Sequence, residues 1–317
     1  MRSLFKYIFL VISGLFILIA AYALVPKIPS RDLSWDSNPI SQPGLESISD
    51  FFEDIFRQSQ INILVFGRPG VEYQGGDLAD ALVLVHFDPD RNKTFLISLP
   101  RDLWISDKDE QFKINEAIYK KKIPSVLSEV KDITGLSADG YLIVDLKIVK
   151  EAVDFLGGVD IVLEETAVDW VSHFEMKAGP QHLNGEDAVW LIRNRYNREG
   201  DFFREKNQQA VIKSAFDKFI ALSKEKKIDF FKEFILNPSI LANAQIDMSL
   251  LTPYIFDSNL TEISLESVVL DFSTKLLKTG YISLPVGATT TNVSVLIPSA
   301  GFENYQEIKK YIQEKVK

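Results

Sequence analysis

Apolar positions follow three successive rhythms along the chain. From Tyr7 to Val25 they run without a charge, about long enough as a helix to cross a hydrocarbon core of ~30 Å, so one N-terminal transmembrane helix is expected. Ala20-Ala21-Tyr22-Ala23 offers a cleavage site for the competing signal-peptide reading, whose apolar region runs only about 7–15 residues. The length favours the anchor. Arg2 and Lys6 before the span keep its start cytoplasmic and send the rest outside, while Lys27 and Arg31 beyond it pull the other way. Pro26, Pro29, Pro39 and Pro43 then mark a tether over 26–44, and the folded part is expected over 45–317.

After the tether the periodicity alternates between helix and strand. Leu45 to Gln58 has helical spacing, and Ile61 to Phe66 is a short apolar run ending at Gly67, as in a buried strand feeding a loop. Ala81 to Phe87 and Thr94 to Leu99 read as strands of a hairpin joined by the turn residues Asp88 to Lys93. A helix over Pro124 to Ile133, a strand over Tyr141 to Val144 and a helix over Leu146 to Leu156, stopped by Gly157-Gly158, follow. Asn184 is placed to cap a helix from Gly185 to Asn194, and a second begins near Arg204 after a turn over Asn197 to Phe203. Leu222 to Phe234 is Lys-rich and amphipathic, Val293 to Ile297 strand-like, and Glu303 to Val316 a polar terminal helix. The alternation predicts an α/β fold: a layered αβα domain with a central mixed sheet flanked by helices.

Composition adds exclusions. A net charge of −9 over 317 residues argues against coating nucleic acid by bulk electrostatics, so no nucleic-acid partner is expected. The absence of cysteine removes disulfides, thiolate nucleophiles and zinc ribbons. No phosphate-loop, nucleophile-elbow or His-Glu-x-x-His motif occurs. Of the three histidines, His86 falls in an apolar strand and His173 and His182 stand apart, so any base must be a carboxylate.

Arginine carries the positive signal. It occurs only at positions 2, 31, 57, 68, 91, 101, 193, 195, 198 and 204, four of the ten between 193 and 204, although lysine is plentiful elsewhere. Solvation alone is served by lysine, whereas the planar guanidinium fork matches phosphate oxygens bidentately. Arg193 and Arg195 end one helix, Arg204 and Gln208 share a face of the next, and Arg101 follows a strand C-terminus, where α/β sheets place ligands. The competing reading is a surface ion-pair network with Asp187, Glu199, Asp201 and Glu205. Asp80 and Asp102 are the candidate base or metal ligands, with strand-end capping as their structural alternative.

Asn62-Ile63-Leu64 with Gly67, Asp80, Leu99-Pro100-Arg101-Asp102, Lys113-Ile114-Asn115, Leu156-Gly157-Gly158-Val159, His182-Leu183-Asn184-Gly185-Glu186, Arg193-x-Arg195 and Gly200-Asp201-x-x-Arg204 with Gln208 resemble, in order and spacing, the LytR-CpsA-Psr family over about Ile61 to Lys218. The resemblance implies a membrane-anchored extracytoplasmic phosphotransferase that moves a glycopolymer from a polyprenyl-pyrophosphate carrier to peptidoglycan. It implies that Arg101, Arg193, Arg195 and Arg204 clasp the pyrophosphate, with Gln208, Lys113 and Asn115 as polar contacts to substrate and Asp80 as a magnesium ligand. Asp102 or Asp201 either orients or deprotonates the acceptor hydroxyl, or only holds an arginine in place.

The chain also departs from that pattern. Where the family has Gly-x-Asp-x-Arg after the first strand, this sequence has Gly67-Arg68-Pro69-Gly70-Val71, without the second metal-binding carboxylate or its arginine. Leu78 stands where a basic residue is usual, and Asn207 where the last family arginine is. Arg68 is then a candidate substrate contact that neutralises charge on the phosphate, Asp77 a candidate replacement carboxylate, and two plain loop residues the structural alternative. A hydrolase on the same lipid, a non-catalytic binder and a transcriptional regulator are the rival functions, the last opposed by the acidic charge and the anchor.

Overall fold

A computed structural model describes residues 60–70, 73, 75–108, 110–171, 173–196, 200–234, 244–245, 264–286 and 289–317. The expected anchor, the tether and the helix at Leu45 to Gln58 lie outside these residues. Among the described residues no helix is long and apolar enough to cross a membrane.

The three apolar runs form β1 (Ile61–Arg68), β2 (Ala81–Asp88) and β3 (Lys93–Leu99). Between β2 and β3, Asp88 accepts from the backbone N–H of Arg91, and Asn92 takes φ 51°, closing the expected hairpin. A small hairpin, β4 (Trp104–Asp107) and β5 (Glu110–Lys113), precedes α1 (Ile123–Thr134), β6 (Gly140–Asp145) and α2 (Leu146–Phe155). Short strands β7 (Val159–Leu163), β8 (Ala167–Asp169), β9 (Phe174–Met176) and β10 (Gly179–Leu183) lead to α3 (Gly185–Arg193), α4 (Asp201–Ile220) and α5 (Lys224–Phe234). The remaining elements are β11 (Ala244–Gln245), β12 (Ser264–Val269), β13 (Leu277–Val286), β14 (Thr289–Pro298) and α6 (Gln306–Lys315).

Six strands make the central sheet in the order β11-β6-β1-β2-β3-β12. It is mixed: β1 runs parallel to β6 and β3 to β12, while β2 is antiparallel to both its neighbours. Residues 61–67 of β1 and all of β2 are buried. Because successive side chains point to opposite faces, burial without alternation means that both faces are covered, the layered α/β arrangement expected from the sequence.

This topology selects one edge. The C-terminal ends of β1, β3 and β6 and the N-terminal end of β2 all lie there, bringing together Arg68, Arg101, Asp145 and Asp80. The loop after β3 is held by backbone bonds: Leu103 N–H donates to Pro100 O (3.0 Å), Asn115 N–H to Arg101 O (3.3 Å) and Leu296 N–H to Asp102 O (2.8 Å). The C-terminal hairpin thus reaches the segment that carries Arg101.

Two helix boundaries correct the sequence reading. Helix α4 starts at Asp201, not near Arg204, because Gly200 takes φ 56°, ψ −115° and turns the chain early; Asp201 then sits in the first turn, where a carboxylate suits the helix dipole. The terminal helix starts at Gln306, since Glu303 has φ 61°.

Candidate active site

The edge residues are fixed from several directions. Helix α3 starts with Asn184 accepting from Asp187 N–H (2.9 Å), while Gly185 N–H donates to Asp154 of α2 (2.8 Å). A Cβ on Gly185 would lie 2.3 Å from the carbonyl oxygen of Lys150, so only glycine lets the two helices approach this closely. That contact sets the direction of α3 and hence the position of Arg193 at its end. Gln208 of α4 reaches back and donates to Ile192 O (3.1 Å), tying the two arginine-bearing helices together.

The predicted arginines meet through shared carboxylates. Arg101 donates through Nη1 to Asp80 Oδ1 (2.6 Å) and through Nε to Asp201 Oδ2 (2.7 Å). Arg204 Nη1 lies 3.6 Å from Asp80 Oδ1 and 3.4 Å from Asp201 Oδ1, and Arg195 Nη1 is 3.9 Å from the same Asp201 oxygen. Arg68 Nε donates to Asp145 (2.8 Å), its register partner on β6, and Arg68 Nη1 to Asp77 (2.5 Å). Lys113 Nζ pairs with Asp102 (2.6 Å).

Electrostatics follow from burial against pairing. Burial opposes the charge of Arg101, but Asp201, Asp80 and Asp102 outweigh it and raise its pKa. Burial likewise favours the neutral acid at Asp201, yet Arg204 and Arg101 outweigh that and hold its pKa below the usual carboxylate range. At Arg204, only 2% exposed, burial prevails over Asp201 and the pKa falls below its ordinary value.

A cavity opens on this edge, lined by Gly67, Arg68, Pro69, Asp80, Arg193, Arg195, Arg204 and Gln208 among others. Arg204 is one of the lining residues, and its Nε and Nη2 are buried and without a hydrogen-bond partner. Unpaired buried donors on a cation are costly, and the guanidinium groups around this cavity give it a charge that suits an anion. A second hollow, lined by Asp169, Trp190, Asn194 and Tyr196, shares Arg193 and Arg195 with the first.

Not every predicted residue lies on that lining. Arg101, Asp102, Asp201 and Lys113 stand beside it as ion pairs. Asn115 is buried and joins the neighbouring segments, its carbonyl accepting from Ala79 N–H (2.9 Å). His86 is packed in β2 with Nδ1 2.7 Å from Asn62 Oδ1, as its apolar setting predicts. Of the carboxylates in the ion-pair alternative, Asp201 does pair with arginines, Glu199 lies outside the described residues, and Asp187 pairs with no arginine among the described residues, its backbone N–H serving the α3 cap. The sequence reading missed Asp145, which looks like an ordinary cap before α2, and Tyr73, whose ring lies 5.6 Å from the Arg193 guanidinium.

Residues 45–269 match the model of the LytR_cpsA_psr family, well over half of the chain. The chain belongs to that family. Over 242 residues, 73% of this chain, it is 28% identical to the polyisoprenyl-teichoic acid–peptidoglycan teichoic acid transferase TagV of Bacillus subtilis, and this match spans 60% of the relative's length. It is 25% identical over 270 residues, 81% of each chain, to the corresponding transferase TagU of Oceanobacillus iheyensis. The crystal structure of B. subtilis TagV superposes with a TM-score of 0.58 at 22% identity, covering 81% of this chain and 97% of that one, and shares the fold.

The magnesium ion expected of a LytR_cpsA_psr protein can be tested against these donors. Magnesium takes about six oxygens in near-octahedral array, of which the protein usually supplies one or two free carboxylates and water or substrate phosphate the rest. Asp80 and Asp201 already accept from arginines, Asp77 and Asp145 hold Arg68, and Asp102 holds Lys113. Among the described residues no group of three or more acidic or histidine side chains is arranged to hold a metal ion. With each of these carboxylates engaged by a cationic side chain, the residues present do not fit a divalent cation held by the protein's own donors.

Proposed function

We propose that this protein transfers a glycopolymer of the teichoic-acid class from a polyprenyl-pyrophosphate carrier to a peptidoglycan hydroxyl, anchored through Tyr7 to Val25 with residues 45–317 outside the cytoplasmic membrane. The observation that carries this reading is Arg204, a buried cation with two unpaired donors, on the lining of a cavity to which Arg68, Arg193 and Arg195 also belong. The transferase names of the relatives support the substrate and acceptor classes.

In the transfer, the acceptor hydroxyl oxygen bonds to the sugar-linked phosphorus, the bond from that phosphorus to the bridging oxygen breaks, and polyprenyl phosphate leaves with the electron pair. Such reactions rest on positioning and on stabilising charge at the phosphate oxygens, which the guanidinium groups supply. Asp201, with its depressed pKa and three arginine neighbours, suits the holding role and makes a poor base. Asp80 also pairs with Arg101 and Arg204, but it lines the cavity and is more exposed than Asp201, and it is assigned as the acceptor for the hydroxyl proton.

The test is incubation of the full chain in detergent with a lipid-linked glycan and peptidoglycan fragments, followed by product analysis. A phosphodiester-linked glycan–peptidoglycan product with stoichiometric polyprenyl phosphate is expected. Polyprenyl phosphate with free glycosyl phosphate would identify a hydrolase, and lipid retention without release a binding protein.

A further inference from the structure

We infer that Arg68 takes the place of a divalent cation, so that this chain binds pyrophosphate with guanidinium groups alone. The inference rests on the reading of the cavity as a pyrophosphate site and specifies how that site balances charge.

Position is the first argument. Arg68 closes β1 near the middle of the sheet edge, between the ends of β6 and β2, and lines the cavity. Its side chain is about 10% exposed and held on two sides, Nε by Asp145 at 2.8 Å and Nη1 by Asp77 at 2.5 Å. A guanidinium bonded this way is preorganised and is not a solvated loop residue. Asp77 is thereby committed to Arg68 and is not a free replacement ligand.

Donor supply is the second. The next residue, where a carboxylate would complete a metal site on this edge, is Pro69, whose side chain offers no oxygen. Asp80 is drawn to Arg101 and Arg204 instead. A hard cation would meet one engaged carboxylate and four guanidinium groups.

Charge is the third. The lining presents Arg68, Arg193, Arg195 and Arg204 against one carboxylate, Asp80, while Asp77 and Asp145 pair with Arg68, and Asp201 with Arg195 and Arg204, from beside it. A pyrophosphate diester brings two ionised oxygens, which these guanidinium groups can meet directly. A divalent cation would have to sit among four guanidinium groups, where like charges repel.

Titration calorimetry of the full chain in detergent with geranyl pyrophosphate, once in excess EDTA and once in excess magnesium, tests this. Affinities in the two buffers should agree within about threefold, and Arg68→Ala should weaken binding in EDTA about 10- to 100-fold, the scale of one lost charge-assisted contact. Arg68→Lys, which keeps the charge but not the fork, should fall between them and guards against an Ala variant that fails to fold. The double change Arg68→Val with Pro69→Asp should make binding depend on magnesium. Wild-type binding that appears only with magnesium, or is unchanged in Arg68→Ala, would overturn the inference while leaving a pyrophosphate site in place. No binding in either buffer would overturn both.

Discussion

Arg101 and Arg204 converge on one oxygen, Oδ1 of Asp80, at 2.6 and 3.6 Å. Two guanidinium groups this close repel unless a carboxylate stands between them, and Asp80 and Asp201 fill that place on either side. The residues expected to clasp one ligand are therefore first clasped to each other, with Arg204 keeping two donors unpaired. On the proposed function, a diphosphate in the cavity would add acceptors to this network.

Asp80→Asn keeps the shape and removes the charge. The ligand-free variant should lose about 1–3 kcal/mol of stability, since Arg101 and Arg204 then share one neutral acceptor on that side. Inorganic pyrophosphate, which restores negative charge, should raise its unfolding midpoint more than that of the wild type. Transfer should fall at least ~10²-fold if Asp80 accepts the hydroxyl proton. Scanning calorimetry with and without pyrophosphate, beside a transfer assay, checks both; full transfer in the variant would remove the proton-acceptor role.

Arg193 and Arg195 are solvent-exposed cavity residues, unlike Arg204. Arg193→Ala and Arg195→Lys should each lower transfer by about 10²–10³, the effect of removing one preorganised donor, while unfolding midpoints stay near wild type. Arg204→Lys should lower both, because it leaves its buried surroundings imperfectly filled and paired. Equal turnover of the Arg193 and Arg195 variants with the wild type would remove them from the clasp.

Glu205, next to Arg204 on α4, is buried with Oε2 unpaired, and burial pushes its carboxyl up to about 8 from 4.5, Arg204 opposing and Asp201 reinforcing the shift. Between those two values the folded chain holds a proton that the unfolded chain has released, so stability falls as pH rises through that window. Glu205→Gln keeps the neutral shape at every pH. Its midpoint should match wild type near the acid end of the window and exceed it at the alkaline end. Parallel pH dependences for the two proteins would show that Glu205 is ionised throughout.

How far the sequence disclosed this depended on whether an element's burial follows its hydrophobicity. β1, β2 and β3 were visible because their apolar runs are buried as they stand, and Asn184 because its cap is local. The burial of the first half of α4 was not, since Arg204, Glu205, Asn207, Gln208 and Gln209 give no apolar signal yet are all buried. Gln209 shows why: its amide donates to Leu96 O and Ser98 Oγ (3.0 and 2.6 Å), partners supplied by a strand more than a hundred residues earlier. β12 and β13 carry many exposed positions and depend on pairing with β3 and β14. The arginine cluster was legible from composition alone. The hold of Asp145 on Arg68 was not, because it follows from the register of β1 against β6.

Gly185 offers the last test, a mutation outside the cavity that should act on it. Helix propensity alone favours Gly185→Ala by roughly 1 kcal/mol. Packing opposes it, because the added Cβ would sit 2.3 Å from the backbone oxygen of Lys150, and a backbone atom does not swing aside. Helix α3 must then move off α2, stretching the bond from Gly185 N–H to Asp154 and carrying Arg193 with it. The clash should win, destabilising the chain by about 1–3 kcal/mol, as overpacking does. Because a displacement near 1 Å of a positioning group can cost about 10²-fold, transfer should fall further than stability explains when assayed well below the unfolding midpoint. A variant that is more stable and fully active would show that propensity prevails there and that the α2–α3 contact does not place Arg193.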